Sequence, residues 1–300
     1  MKKMVWTGFA GVALTAAILA GCGANAAQPS SANQPNPTTS PTKAVNNGIS
    51  KSSQSSQPKR TVLKSQTVTL TILPGGRLGP DGKMHDTYTD PDFTVVQGVP
   101  VTLTVYNYDG GSHTLTNPDL GINLQAKGSS KKGVPAITSV TFTPTKAGDF
   151  KWQCLDPCDG DNQDWSMTHK GYMQGIIHVV PFADKQYVYL TIKDGLQYAS
   201  ADGKLHDSFS PANWEVQQGI PVQVTVENFD TGEHSITAPA LHLNQVIQGA
   251  KKDGVPSTTT FTFTPKKSGT FHWQCIVQCD GNGWAMSHDG YMAGNITVDS

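Results

Sequence analysis

From residue 61 onward this 300-residue chain is one pattern written twice. Displacing it by 121 residues lays Asp81-Gly82-Lys83-Met84-His85-Asp86 on Asp202-Gly203-Lys204-Leu205-His206-Asp207, and Trp152-Gln153-Cys154 on Trp273-Gln274-Cys275. Beyond Cys158 and Cys279 the offset falls to 119, because the first copy has a loop two residues longer, and Trp165-Ser166-Met167-Thr168-His169 meets Trp284-Ala285-Met286-Ser287-His288. A period of about 115 residues is too long for a solenoid and is the size of one domain. The repeat therefore predicts two tandem domains, 61–182 and 183–300.

Inside each copy the apolar residues alternate. Val68-Thr69-Leu70-Thr71-Ile72, Val101-Thr102-Leu103-Thr104-Val105, Val140-Thr141-Phe142-Thr143-Pro144, Phe150-Lys151-Trp152-Gln153-Cys154 and Ile176-Ile177-His178-Val179-Val180 read as strands. The second copy repeats them with Val222 to Val226, Phe261 to Pro265, Phe271 to Cys275 and Asn295 to Val298. Period-2 runs separated by Gly, Pro, Asp and Asn predict an all-β fold of two Greek-key sandwiches with antiparallel sheets. Composition agrees: 30 Gly and 19 Pro stand beside only 15% charged residues, as in a turn-rich β protein.

Residues 1–21 carry a different message. Met1-Lys2-Lys3 is followed by an apolar stretch from Met4 to Ala20 and by Leu19-Ala20-Gly21-Cys22, which reads as a bacterial lipoprotein signal with Cys22 as the lipidated residue. From Cys22 to Arg60 the chain is rich in Ala, Asn, Gln, Pro, Ser and Thr, and after Gly23 it has no acid and no aromatic residue, so it is expected to be a disordered tether. The expected location is outside the cytoplasmic membrane, on its periplasmic or cell-surface side, and held there by lipid. Six of the 22 basic residues and none of the 23 acidic ones precede residue 61, so the remainder carries a net charge of -7. That balance, with no basic block, argues against nucleic acid.

The repeat filters the reactive side chains. Of nine histidines, His85, His113 and His169 have counterparts at His206, His234 and His288. Four of the five cysteines pair between copies, as do Met173 and Met292, while the fifth cysteine is Cys22. Each copy thus places a His after an Asn-x-Asp turn, and some forty residues later a strand ending in Cys-x3-Cys, then His, then Gly-Tyr-Met. Thiolate, imidazole and thioether together are a soft donor set suited to copper. Two disulfides, Cys154 with Cys158 and Cys275 with Cys279, are the alternative that export would permit. His85 and His206, beside Asp-Gly turns, read as structural hydrogen-bonding residues, and Met167, Met286, Tyr172 and Tyr291 as packing.

These residues make both copies resemble the cupredoxins, in which a strand with an early His and a hairpin loop with Cys, His and Met converge at one end of a β-sandwich. Asn228-Phe229-Asp230-Thr231-Gly232-Glu233-His234 is similar to the first element, and Thr270 to Cys275 with Gly290-Tyr291-Met292 to the second. The Cys-x3-Cys pair is similar to the binuclear CuA site of cytochrome oxidase subunit II. That likeness implies His113, Cys154, Cys158, His169 and Met173 with the carbonyl of Asp156 as one ligand set, and His234, Cys275, Cys279, His288 and Met292 with the carbonyl of Val277 as the other. CuA loops have three residues between the second Cys and the His; here there are ten or eight. The second version is a mononuclear blue site, to which Cys279-x8-His288-x3-Met292 is similar. One or two copper ions per domain are therefore expected.

The resemblance implies electron transfer between respiratory components, with a redox partner such as a cytochrome c or a terminal oxidase, and no catalysis by the chain itself beyond service as an accessory to an oxidase. Copper delivery, storage or resistance is the alternative, and a redox-silent binding module is what disulfides would imply.

Overall fold

The computed structural model describes residues 62–181 and 185–300. Cys22, the export segment and the tether expected over 22–60 lie outside the described residues, as does the junction expected at 182/183.

Each copy is a sandwich of two sheets. In the first copy one sheet has the order β2-β1-β4-β7 and the other β3-β9-β8-β5-β6. The strands are β1 (Gln66–Leu78), β2 (Met84–Tyr88), β3 (Phe93–Val96), β4 (Val101–Asn107), β5 (His113–Asn117), β6 (Ile122–Ala126), β7 (Ala136–Phe142), β8 (Gly148–Gln153) and β9 (Gln174–Val180). The second copy repeats the plan with β10 (Gln186–Tyr198), β11 (Leu205–Ser210), β12 (Trp214–Gln217), β13 (Val222–Asn228), β14 (His234–Ala238), β15 (Leu243–Ile247), β16 (Ser257–Phe263), β17 (Gly269–Gln274) and β18 (Ala293–Asp299), in sheets β11-β10-β13-β16 and β12-β18-β17-β14-β15. The alternation read from the sequence is the burial of one face: along β4 every second residue is buried.

The expectation of purely antiparallel sheets is corrected. β1 runs parallel to β4 and β3 parallel to β9, and the second copy repeats both pairings. Alternation reports which face is buried and is blind to the direction of the neighbouring strand. The short β2, β3, β5 and β6, whose apolar runs are brief, escaped the sequence reading.

Trp152 and Trp273 anchor the two cores. Both are wholly buried, and their indole N–H groups donate to the carbonyls of Pro91 and Ala212 at 2.8 and 2.9 Å. Tyr88 and Phe209 meet them edge-on at 4.9 and 4.8 Å between ring centres. A buried tryptophan so satisfied contributes packing without an orphaned donor.

The copies pack through β1 and β10, which explains why β1 is buried on both faces over Val68–Leu73. The seam is polar. Thr71 donates to Ser210 at 3.0 Å, Thr191 to Thr89 at 2.7 Å, and the Thr94 amide to the Tyr189 hydroxyl at 2.7 Å. Loops exchange reciprocally: the Leu78 amide donates to the carbonyl of Gly254, and the Tyr198 amide to that of Gly133. An ion pair closes the seam, with Arg77 Nη2 donating to both carboxylate oxygens of Glu227 at 3.0 and 2.9 Å. Glu227 also accepts from the Asp90 amide, and burial, reinforced by Glu227, holds the Asp90 carboxyl far above the usual range.

Across this seam β1 and β10 lie side by side in the same direction. Residues 64–67 adjoin 186–188 at one end, and 73–76 adjoin 193–196 at the other. The pseudo-two-fold axis therefore runs along the strands, and equivalent ends of the two sandwiches share one pole. The first described residues enter at the opposite pole, where Leu63 packs on Val96, Val99 and Ile220.

Removing one partner of a buried ion pair leaves an uncompensated charge and costs about 3 kcal/mol. Glu227→Ala is expected to lower the unfolding free energy by about that amount, and the double change Arg77→Met, Glu227→Leu to recover most of it, as read by urea unfolding.

Candidate metal centre

Three neighbouring strands bring the distant ligand candidates together. β5, β8 and β9 lie side by side; His113 begins β5, Cys154 directly follows β8, and Met173 directly precedes β9. Because β8 is antiparallel to both neighbours, all three residues emerge at one pole. The Cys154 amide donates to the Met173 carbonyl at 2.9 Å, tying two of them directly. β14, β17 and β18 do the same for His234, Cys275 and Met292, with the Cys275 amide 2.8 Å from the Met292 carbonyl.

The ligand atoms of His113, Cys154 and Cys158 lie within 4.8 Å of one another, and so do those of His234, Cys275 and Cys279. All six residues are buried, and the four cysteines are free thiols. In the second copy the two sulfurs are 3.4 Å apart. The amides of Thr114 and Ser235 donate to the strand-end sulfurs at 3.3 and 3.4 Å, and those sulfurs face the carbonyls of Asp156 and Val277 at 3.4 and 3.3 Å. Met173 and Met292 are wholly buried within the same core clusters as the cysteines.

A feature the sequence reading missed sets the imidazoles. Nε2 of His113 donates to Asp109 at 2.8 Å and Nε2 of His234 to Asp230 at 2.7 Å. Nδ1 of both rings is buried and has no hydrogen-bond partner. The carboxylate orients the ring and turns Nδ1 toward the two sulfurs, the arrangement that carboxylate–histidine–metal triads use. Asp109 and Asp230 recur at the 121-residue offset, so the repeat filter carried the signal once applied to acids as well as to His and Cys. Asn107 braces the turn: its Oδ1 accepts from the Asp109 amide, and its Nδ2 donates to the carbonyls of Gly111 and Lys127, each at 2.9 Å. Asn228 repeats all three bonds. A Cβ on Gly249 would stand 2.0 Å from the Thr231 carbonyl oxygen, so the turn that carries His234 requires glycine beneath it.

Protons mark the charge the pocket prefers. The Cys154 thiol is drawn well below its ordinary range, chiefly by a hydrogen bond from the Cys158 thiol and further by His113 and the Thr114 amide. Cys158, which keeps the shared proton, is pushed far up by that bond and by burial. Burial opposes a charged His113, but Asp109 and the Cys154 thiolate outweigh it and raise the ring to about 9; His234 is likewise raised to about 9.

His169 and His288 stand apart from these clusters. Their rings stack on Trp165 and Trp284 at 3.5 and 3.6 Å, and each Nδ1 donates to the carbonyl of the same tryptophan at 2.7 Å, leaving Nε2 as the free nitrogen. Behind each tryptophan is a second imidazole. His85 stacks on Trp165 at 3.9 Å and is held at Nδ1 by Asp159 (2.6 Å) and at Nε2 by Asp81 (3.0 Å). His206 repeats this with Trp284, Asp280 and Asp202. The structural role expected for His85 and His206 has this form: Asp159 also accepts from the amides of Asp86 and Ser166, so one carboxylate ties the cysteine loop to β2 and to His85. Met167 and Met286 pack on the cores, and Tyr172 donates to the Leu78 carbonyl at 2.9 Å beneath the loop.

Residues 170–283 match the family model described as "Cupredoxin-like domain". That stretch is cupredoxin-like. The match begins in the first copy's ligand loop and spans most of the second copy, including His234, Cys275 and Cys279, and it stops short of His288 and Met292. Among solved structures, the chain is similar to a copper nitrite reductase from Thermus scotoductus SA-01 at 17% identity and a TM-score of 0.26, covering 78% of this chain and 62% of that one. It is also similar to a copper nitrite reductase from Nitrosomonas europaea at 17% identity and a TM-score of 0.29, covering 79% of this chain and 95% of that one. No curated protein matches the chain. The donor set of the two copies, a buried imidazole nitrogen beside two cysteine sulfurs with a buried thioether in the same core cluster, fits copper.

The imidazolium bridges give a pH test. Burial works against charge on His85, but Asp159 and Asp81 outweigh it and raise the ring above its ordinary value, and Asp280 and Asp202 do the same for His206. Groups raised on folding stabilise fully below the unfolded value of about 6.5 and lose that contribution as pH rises through the folded value. His85→Gln with His206→Gln is therefore expected to destabilise the protein more at pH 6 than at pH 9, as read by paired thermal melts.

Proposed function

We propose that this chain is a lipid-anchored copper protein that carries electrons between respiratory-chain components outside the cytoplasmic membrane. The observation that carries the reading is the buried Nδ1 of His113 and of His234, unpaired beside two thiols in each copy. Two copies of one fold keep that nitrogen buried, without an oxygen or nitrogen partner, and turned toward sulfur.

Copper held there would supply a one-electron couple. The chain's residues do the rest. His113, Cys154 and Cys158 would hold the ion or ions, Met173 would stand as the buried thioether, and His169 as the imidazole nearest solvent; His234, Cys275, Cys279, Met292 and His288 repeat the set. Asp109 and Asp230 hold the two rings so that little moves when charge changes. The Thr114 and Ser235 amides donate to sulfur and stabilise thiolate charge. The buried tryptophans and tyrosine or phenylalanine behind the sulfurs keep water out. None of these roles needs an open position for substrate, so the reading is of a carrier and not of a catalyst.

One observation favours a second reading, copper delivery or storage. Among the His, Cys, Asp and Glu of the described residues, two sulfurs and one nitrogen in each copy lie within 4.8 Å of one another, a set that suits Cu(I). The anchor reading rests on Leu19-Ala20-Gly21-Cys22, and a cytochrome c or terminal oxidase remains the proposed class of partner.

Loading the chain with copper and recording metal content and EPR spectrum tests the proposal. Four ions with a mixed-valence pattern mean two binuclear centres, and two with a mononuclear pattern mean blue sites. Colourless Cu(I) that transfers to a chelating partner means delivery, and no copper overturns the reading. His113→Ala is expected to weaken loading of the first copy by at least the 10–100-fold typical of lost support around a metal, leaving the second copy unchanged. Cys22→Ser is expected to move the protein from the membrane to the soluble fraction.

A further inference from the structure

The two copies place the same ligand candidates on the same strands, yet what surrounds the sulfurs differs. In the first copy Asp156 lies between the cysteines; its main-chain carbonyl is 3.4 Å from Cys154 Sγ and its carboxylate accepts from Ser112, the residue before His113, at 3.0 Å. A second carboxylate, Asp164, accepts from the Cys158 amide at 3.0 Å. In the second copy the residue matching Asp156 is Val277, packed on the core that contains Cys275 and Cys279. The loop there is shorter by two residues and holds no acid besides Asp280, the counterpart of Asp159. Ala285 replaces Ser166, and Phe209 replaces Tyr88, so the second pocket also lacks two hydroxyls.

Carboxylates beside a site favour its more positive, oxidised state, while an apolar shell favours the less charged, reduced one. Three contrasts run the other way. Ser166 Oγ stands 3.9 Å from Cys158 Sγ, beyond the range of a strong hydrogen bond, so it offsets little of two full charges. Glu233, where the first copy has Ser112, is exposed like Asp164 but, among the described residues, holds no hydrogen bond to the cysteine loop that would keep its charge beside the sulfurs. Lys170, where the second copy has Asp289, is paired with Asp92 at 3.3 Å.

We propose that the duplication has made two unequal redox sites, the first of lower reduction potential than the second, so that the chain passes electrons in one direction. The inference rests on the carrier reading. One electron leaves the reduced first site, which is oxidised, and enters the oxidised second site, which is reduced; no proton or third reagent is required. Asp156 and Asp164 are then positioning residues that act through the field at sulfur. Both sites occupy one pole of the pair of sandwiches, so a donor and an acceptor approach the same end.

The test is spectroelectrochemical titration of the full-length chain in detergent after copper loading. Two waves are expected, with the electron partitioned at least tenfold toward the second site, which is about 59 mV for a one-electron couple. Asp156→Asn and Asp164→Asn, which keep the ligands and the backbone bonds in place, are expected to raise the first wave and leave the second unmoved. Val277→Asp is expected to lower the second wave alone. Cys154→Ser assigns the waves independently by deleting the first. Reversible waves at equal potential, waves in the reverse order, or charge variants that shift neither wave overturn the inference while leaving the carrier reading intact. Loss of any reversible couple in the unmodified chain overturns both.

Discussion

A hydrogen bond from one imidazole nitrogen to a carboxylate determines what the other nitrogen can do. Asp109 and Asp230 accept hydrogen bonds from Nε2 of His113 and His234, and the opposite nitrogens are buried without a hydrogen-bond partner and turned toward the sulfurs. Folding ordinarily removes such orphans, since a buried polar atom without a partner is expensive. Here the surrounding structure is arranged to keep them: Asn107 and Asn228 stitch the turns that hold the carboxylates, and the Thr114 and Ser235 amides fix the sulfurs opposite. The cysteine loop is clamped in turn by Asp159 or Asp280 against His85 or His206. Strand order supplies the coarse convergence, and this polar scaffolding supplies the orientation.

The seam between copies works by different chemistry. Its threonines, the Arg77–Glu227 pair and the exchanged loops join the copies through hydrogen bonds, while Arg77 Nε and Asp90 Oδ2 stay buried without partners. Because the residues facing each other are not identical, the pseudo-symmetry is broken where it is energetically sensitive: Arg77 faces Glu227 over the ring of Phe229 at 5.5 Å, while on the other half Gln197 accepts from Tyr108 at 3.2 Å.

Much of this was legible in the residues. Duplication, five of the nine strands of the first copy, and the recurrence of His113, Cys154 and Cys158 at His234, Cys275 and Cys279 follow from period and spacing, while their grouping at one site, with His169, Met173 and their repeats, came from the resemblance to cupredoxins. What could not be read was direction and orientation. The parallel pairing of β1 with β4 leaves no mark on alternation, and the stacking of His169 on Trp165 depends on a loop whose own hydrogen bonds set it. The pairing of Asp109 with His113 is an i,i+4 contact across a turn, and sequence reading favours that spacing only on helices.

β1 and β10 run in the same sense across the seam, so the two sandwiches stand like a pair of columns with their capitals level and their bases level. The first described residues lie at the base, where Leu63 packs, and the cysteine loops crown the top. A partner that lands on the crown meets both centres in one encounter, and a partner that lands on the shafts or the base meets neither.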